Sequence, residues 1–202
     1  MSANNFWTSP RIEPKRKFRW LLYFAGAPQF IIKSVTKPSF QVGTSAHNFL
    51  QHQFHFPGRV TWQDVSITLV DPVSPDATNS LYQIIKSAGY VLPDKVLDDE
   101  SGKKTISKKQ MVASLGNFIR IDQISAEGSG KIIESWRLNN PQITSVNFDG
   151  LDYGSDEGIN IQVGIKYDWA VLNPPEINID KTDRKMTWTM GDPNSTPGKD
   201  NA

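Results

Sequence analysis

GINIQVGIKYDWAVLN, Gly158 to Asn173, decides the fold class. Ile159, Ile161, Val163, Ile165, Tyr167, Trp169 and Val171 take every odd position. Asn160, Gln162, Gly164, Lys166, Asp168 and Ala170 take the even ones. Alternation with a period of two over this length dictates a strand with one apolar and one polar face. Burying all seven apolar side chains is worth on the order of 10–20 kcal/mol gross, at roughly 1.5–3 each. Much of that is offset by the entropy of ordering the segment. No other stretch alternates as strictly. The segment is therefore expected to be the spine of a β-sheet core, with Ile159, Ile161, Val163, Ile165, Tyr167 and Trp169 facing inward.

Upstream of the spine, further strands are expected. Phe18, Trp20, Leu22 and Phe24 alternate; Gly26-Ala27-Pro28 turns the chain, and Gln29–Val35 reads as the returning arm of a hairpin. Ser39–Val42 is a candidate continuation of that sheet. Arg59–Val70 is a strong strand, with Val65, Ile67 and Leu69 on one face and Asp64, Ser66 and Thr68 on the other. Trp62 falls on its polar parity, which calls for a bulge or a packing neighbour. Phe118–Gln123, Lys131–Leu138 and Thr144–Phe148 complete the set, joined by turn-rich segments.

Two helices interrupt the strands. Leu81, Ile84, Ile85 and Ala88 form a stripe at helical spacing. Ser74 is the expected N-cap, with Pro75 at the first helical position, Asp76 in the first turn and Gly89 at the C-terminal end. A shorter helix is expected from Ser107, with Gln110 at capping-box spacing and Gly116 at its end. Residues 92–106 form a charged, turn-rich excursion. The fold class expected is mainly β, sandwich or barrel-like, with one flanking helix and a possible second short one.

Gly43–Gly58, GTSAHNFLQHQFHFPG, has no clean period yet carries Phe49, Leu50, Phe54 and Phe56. It is expected to be a long loop, and loops of this length inside a compact domain are uncommon and often functional. Its aromatics need a surface to cover them, on the same domain or on another subunit. His47, His52 and His55, all the histidines of the chain, fall here. Their spacing matches no metal signature, so solvated or interface histidines are expected and no metal site is assigned.

Composition narrows the function. The 202 residues suit one domain, 17–173, flanked by a polar arm at 1–16 and a proline-rich tail at 174–202 expected to be extended or disordered. A formal net charge of +1 with 21% charged residues argues against a dedicated nucleic-acid binder. The absence of cysteine excludes disulfides and thiol catalysis. No apolar run spans a membrane, and MSANNFWTSPRIEPKRK lacks the apolar core of a signal peptide, so the chain is expected to stay where it is made. Nucleotide-binding fingerprints, HExxH and the nucleophile elbow are absent. The acidic run Asp149, Asp152, Asp156 and Glu157 lacks the ligand order of an EF-hand and reads as a solvated turn. No catalytic residue and no cofactor is assigned.

Two blocks carry a family pattern. PGRVTWQDVSITLVDPVSPDATNSLYQIIKSAGY (57–90) and LGNFIRIDQISAEGSGKIIESWRLNNPQITSVNFDGLDYGSDEGINIQVGIKYDWA (115–170) resemble tail tube proteins of contractile-tailed bacteriophages. The telling pieces are Glu134–Asn140, Phe148–Glu157 and Tyr167–Ala170, and their order matches over roughly residues 17–171. The resemblance implies a structural virion protein of the tail, assembled in the host cytoplasm. Six copies would form a ring, and stacked rings a hollow tube through which double-stranded DNA passes. Sheath and baseplate proteins would be its partners. Residues His47, Phe49, Leu50, His52, Phe54 and Phe56 are the candidate ring-stacking element. A tube initiator, a tube terminator or a type VI secretion tube protein would share the fold. A carbohydrate-binding β-sandwich displaying Trp62 or Trp188 is the alternative from another class.

Overall fold

The computed structural model describes residues 14–93, 105–125 and 131–173. The tail from 174 onward, Trp188 included, and most of the N-terminal arm lie outside the described residues. Among the described residues, alternating segments become ten strands: β1 (Trp20–Tyr23), β2 (Ile32–Val35), β3 (Phe40–Phe49), β4 (His52–Trp62), β5 (Val65–Val70), β6 (Phe118–Ile124), β7 (Ile132–Asn139), β8 (Gln142–Asn147), β9 (Asn160–Lys166) and β10 (Trp169–Leu172). The described residues between β5 and β6 include the helices α1 (Ala77–Ser87) and α2 (Lys108–Ser114). The fold is mainly β, as the sequence pattern requires.

Sheet A has the order β1-β6-β7-β10 and sheet B the order β2-β5-β9-β8, all antiparallel, while β3 and β4 form a separate two-stranded ribbon. One apolar core lies between the sheets. Leu22, Ile119, Ile121 and Leu138 enter it from sheet A; Val65, Ile67, Leu69, Ile161, Val163 and Ile165 enter from sheet B. Leu81, Ile84 and Ala88 on the α1 stripe join it, with Met111 and Leu115 from the α2 segment.

The spine is two strands rather than one. β9 buries Ile161, Val163 and Ile165 completely in sheet B, and Tyr167 retains 5% exposure. The chain then leaves sheet B at Tyr167-Asp168 and enters sheet A as β10. Asp168 fixes the crossing. Its carboxylate accepts from Lys108 Nζ at 2.7 Å and Asn140 Nδ2 at 2.8 Å, and its N–H donates to the Asn139 carbonyl. The change of sheet flips the parity, so Ala170 packs on the core and Trp169 stands 47% exposed. Trp169 is therefore not a core-facing spine residue.

Three other expectations are corrected. Gln29–Val35 does not return against β1, since β1 and β2 belong to different sheets. Instead the Gln29 amide imitates a strand, accepting from Leu22 N–H at 3.1 Å and donating to the Leu22 carbonyl at 2.6 Å. The cap of α1 is Asp76, not Ser74: Asp76 Oδ1 accepts from Asn79 N–H at 2.8 Å. Asp71 adds a second carboxylate, accepting from Ala77 and Thr78 N–H, so the orphan donors of the first turn are met without Ser74. The stretch 43–58 is not a loop; it is most of the β3–β4 ribbon. At α2, Ser107 Oγ does accept from Gln110 N–H, at 3.2 Å.

Candidate assembly surfaces

The ribbon projects with its strands exposed from Phe40 to Thr61. Its lack of period has a local cause. Register runs Phe40↔Trp62, Gln41↔Thr61 and Val42↔Val60, then shifts to Thr44↔Pro57. Gly58 and Arg59 together oppose Gly43, a bulge that inserts one residue into β4 and reverses its parity. The two backbones approach closely there: a Cβ at Gly58 would stand 3.1 Å from the Gly43 carbonyl oxygen, a tight contact. Opposed residues share a face. Beyond the bulge, His47 with Phe54, Phe49 with His52, and Phe56 beside Ser45 lie on one face, while His55 opposes Ala46 on the other.

The stacking candidates are thus brought together, apart from Leu50, which occupies the turn at φ 53° and is 88% exposed. Phe49, Phe54 and Phe56 are each more than half exposed. An apolar row on a wholly exposed ribbon marks a surface meant to be covered. At the root, Trp62 sits half-buried between Phe40 and Tyr167, with ring centroids at 5.3 and 5.9 Å. Trp62 is a structural anchor at the root of the ribbon.

Sheet B presents a second surface. Its outer face carries Ser34 on β2, Ser66, Thr68 and the exposed Val70 on β5, Asn160, Gln162 and Gly164 on β9, and Ser145 and Asn147 on β8. No acidic residue occurs in these four strands, and the only cations are Lys33 and Lys166. Lys33 Nζ donates to Asn160 Oδ1 at 2.9 Å. Asp168, grouped by alternation with Asn160 and Gln162, is not on this face because the chain has left the sheet before reaching it. Among the described residues, β2 and β8 have no strand on their outer sides, so sheet B ends in two open edges.

Sheet A is different in character. Its outer face bears Tyr23 opposite Arg120, Arg120 opposite Arg137, Asp122 opposite Ser135, and Phe118 and Trp169 on either side of Asn139. Arg120 lies over the Tyr23 ring at 4.2 Å and Arg137 over the Phe118 ring at 4.6 Å. Sequence reasoning missed this face. Its signal was present in the alternation of Phe118, Arg120 and Asp122 with Ile119 and Ile121, but the Arg120–Arg137 pairing needs the register of two strands.

The turn 148–159 joins β8 to β9. Asp149 accepts from Gly150 N–H at 2.9 Å and Asn160 N–H at 3.1 Å, which hold its carboxyl below the usual range. Asp152 Oδ1 accepts from Gly154 N–H at 2.9 Å. Leu151 and Tyr153 are almost fully exposed. Among the described residues no group of three His, Asp or Glu side chains is arranged to hold a metal.

No family model and no curated protein matches the chain. Solved structures do. A chain of the PVC sheath/tube terminator of an extracellular contractile injection system in its extended state is 14% identical, with 80% of this chain and 98% of that one covered at a TM-score of 0.58. The tube-terminating cap of the anti-feeding prophage is 16% identical, covering 81% and 93% at 0.57. A chain of the PVC sheath–tube complex is 14% identical, covering 85% and 97% at 0.56. The protein has a tail tube-like fold, shared with tube and tube-terminator components of contractile injection systems.

Proposed function

We propose that this chain is a structural subunit of the tube of a contractile tail, closed into rings by its own copies and stacked ring on ring. The observation that carries the proposal is sheet B, whose two open edges bound a polar, nearly uncharged outer face. Exposed edges are a template for pairing, and a ring removes them all. Pairing β2 of one copy with β8 of the next makes the sheets of six copies, the number implied by the resemblance to tail tubes, one continuous barrel. The contact is heterologous, so closure and not a fibre depends on its rotation. The exposed ribbon then lies on the ring above or below.

The outer face of sheet B becomes the lumen wall. Serine, threonine, asparagine and glutamine can be wetted without attracting phosphates, whereas each cation that neutralises a phosphate adds salt-dependent grip. Such a wall suits the passage of DNA during ejection. Sheath and baseplate proteins are the expected partners on the outside. The solved relatives include a sheath–tube complex and an anti-feeding prophage baseplate, the latter at a TM-score of 0.53, which supports that setting for this chain.

Negative-stain electron microscopy of the purified protein tests the proposal. Hollow tubes are expected. Single rings that never stack would assign the chain to a tube initiator or terminator instead, and strictly monomeric particles at high concentration would refute ring formation.

A further inference from the structure

We propose that the outer face of sheet A is a seat for a second copy of this chain, with Arg137 receiving a carboxylate from that copy's acidic turn at Asp156-Glu157. The reason begins with charge. Arg120 and Arg137 are register partners across β6 and β7, an arrangement in which like charges destabilise a sheet. Asp122 compensates one of them. It is completely buried, accepts from Ser135 Oγ at 2.6 Å through Oδ1, and holds Arg120 Nε 2.9 Å from Oδ2 as an ion pair without a hydrogen bond. Arg137 Nε is buried without a hydrogen-bond partner. Among the described residues two guanidiniums therefore share one carboxylate, and a second copy supplies the other.

The surroundings fit a protein partner. Tyr23 and Trp169 lie on the same face, 41% and 47% exposed, and aromatic rings beside arginine are the composition of interface hot spots. The complementary surface is on this chain. Leu151 and Tyr153 stand out from the turn before β9, and beside them are four carboxylates. Those of Asp149 and Asp152 cap their own backbone, which leaves Asp156 and Glu157 to face a partner.

The acidic turn of a chain does not reach that chain's own Arg137. Arg137 lies near the end of β7 where Asn139 meets Asp168, while the turn is held by Asn160 at the opposite end of β9. Seven residues of strand separate the two ends, about 20 Å at the rise of a β-strand. The contact is head to tail between copies and rests on the tube-subunit proposal only in requiring that copies associate.

The absence of cysteine makes the test clean. Full-length Arg137→Cys and Glu157→Cys variants are oxidised mildly, alone and mixed in equal amounts, and run on a non-reducing gel. A disulfide-linked dimer is expected from the mixture and from neither variant alone. In parallel, Arg137→Glu should lower the assembled fraction about tenfold or more, the scale for removing one partner of a desolvated charge pair, and Glu157→Arg in the same chain should restore it. Should Arg137→Glu misfold by circular dichroism, the paired Leu151→Ser and Tyr153→Ser change, at exposed positions, must still weaken assembly. Wild-type rings with no crosslink and no charge effect would overturn this contact and leave the tube proposal standing. Monomeric wild type would overturn both. A short DNA duplex that binds wild type and is released by Arg137→Gln would replace carboxylate by phosphate and overturn the contact also.

Discussion

Trp62 leans its indole on the ring of Tyr167, centroids 5.9 Å apart at an interplanar angle of 52°. Trp62 is the last residue of β4, and Tyr167 begins the crossing from sheet B to sheet A. Phe40 meets the other side of Trp62 edge-on at 5.3 Å, and Gln63 N–H donates to the Ser39 carbonyl at 2.8 Å just below. The ribbon is thus pinned to the sandwich at its root and nowhere required to touch it beyond. Trp62→Ala is expected to cost about 2–3 kcal/mol, below the range for a fully buried tryptophan because this one is half-buried. Amide exchange should accelerate along 43–58 by more than in the β5–β9 core. Equal acceleration everywhere would mean that Trp62 serves global stability and not the ribbon.

Shortening the ribbon separates folding from stacking. Replacing His47–Phe54 by Asn-Gly joins the register partners Ala46 and His55 through a two-residue turn of the favoured hairpin type. The removed side chains are exposed, so the thermal midpoint should stay within about 2 °C, as expected for surface changes near 0.5 kcal/mol. Rings should form and fail to stack under electron microscopy. Tubes of normal length would show that the ribbon's apolar row is covered by something other than a neighbouring ring.

What was legible in the sequence was what local periodicity encodes. Ile161, Val163 and Ile165 alternate and are buried, and Leu81, Ile84 and Ala88 fall at helical spacing and are buried. The misreadings share a cause, a change of parity or partner that a single strand cannot display. At Tyr167-Asp168 the chain changes sheets, which turned one strand into two and put Trp169 outside. At Gly58-Arg59 a bulge reverses the alternation, which made a regular ribbon look like a loop. Gln63-Asp64 separates ribbon from sheet inside what seemed one strand, Arg59–Val70. The arginine pair of sheet A and the open edges of sheet B belong to register and strand order, and no local pattern records either.

Glu134 supplies a pH dependence. Its carboxylate, 12% exposed, is met by Lys37 Nζ at 2.6 Å, by Trp136 Nε1 at 2.7 Å and by Lys15. Burial pushes its pKa up, but the hydrogen bonds from Lys15, Lys37 and Trp136 together outweigh burial and bring it from 4.5 down to about 2. Lys37 also reaches Gln123 Oε1 at 2.7 Å, so the knot ties the segment after β2 in sheet B to β6 and β7 in sheet A. A depressed carboxylate pKa stabilises the fold above the unfolded value, and that stabilisation is lost as pH falls through the folded one. Both lysines are about half exposed, so after solvent screening the contribution is about 1 kcal/mol. Between pH 4.5 and 2 the wild type should lose more thermal stability than Glu134→Gln, by about 2–4 °C. Identical acid profiles would show that the knot adds nothing.

The lumen assignment makes the last prediction, which concerns grip. Thr68 and Gln162 are register partners on the outer face of sheet B, and both change readily to lysine because their side chains leave the core. In a ring the double variant Thr68→Lys/Gln162→Lys would set a belt of cations around the channel. Each phosphate neutralised lowers the logarithm of affinity against the logarithm of salt with a slope near −0.9, so DNA inside such a belt should be held at low salt and released at high salt. Purified tubes of the variant should retain a labelled duplex at roughly 50 mM salt and lose it by about 200 mM. Wild-type tubes should retain none at either concentration. The control is an exposed pair on helix α1, Asn79→Lys with Gln83→Lys, which should leave retention in the lumen unchanged. If that pair captures DNA within the tube and the sheet B pair does not, sheet B does not line the channel.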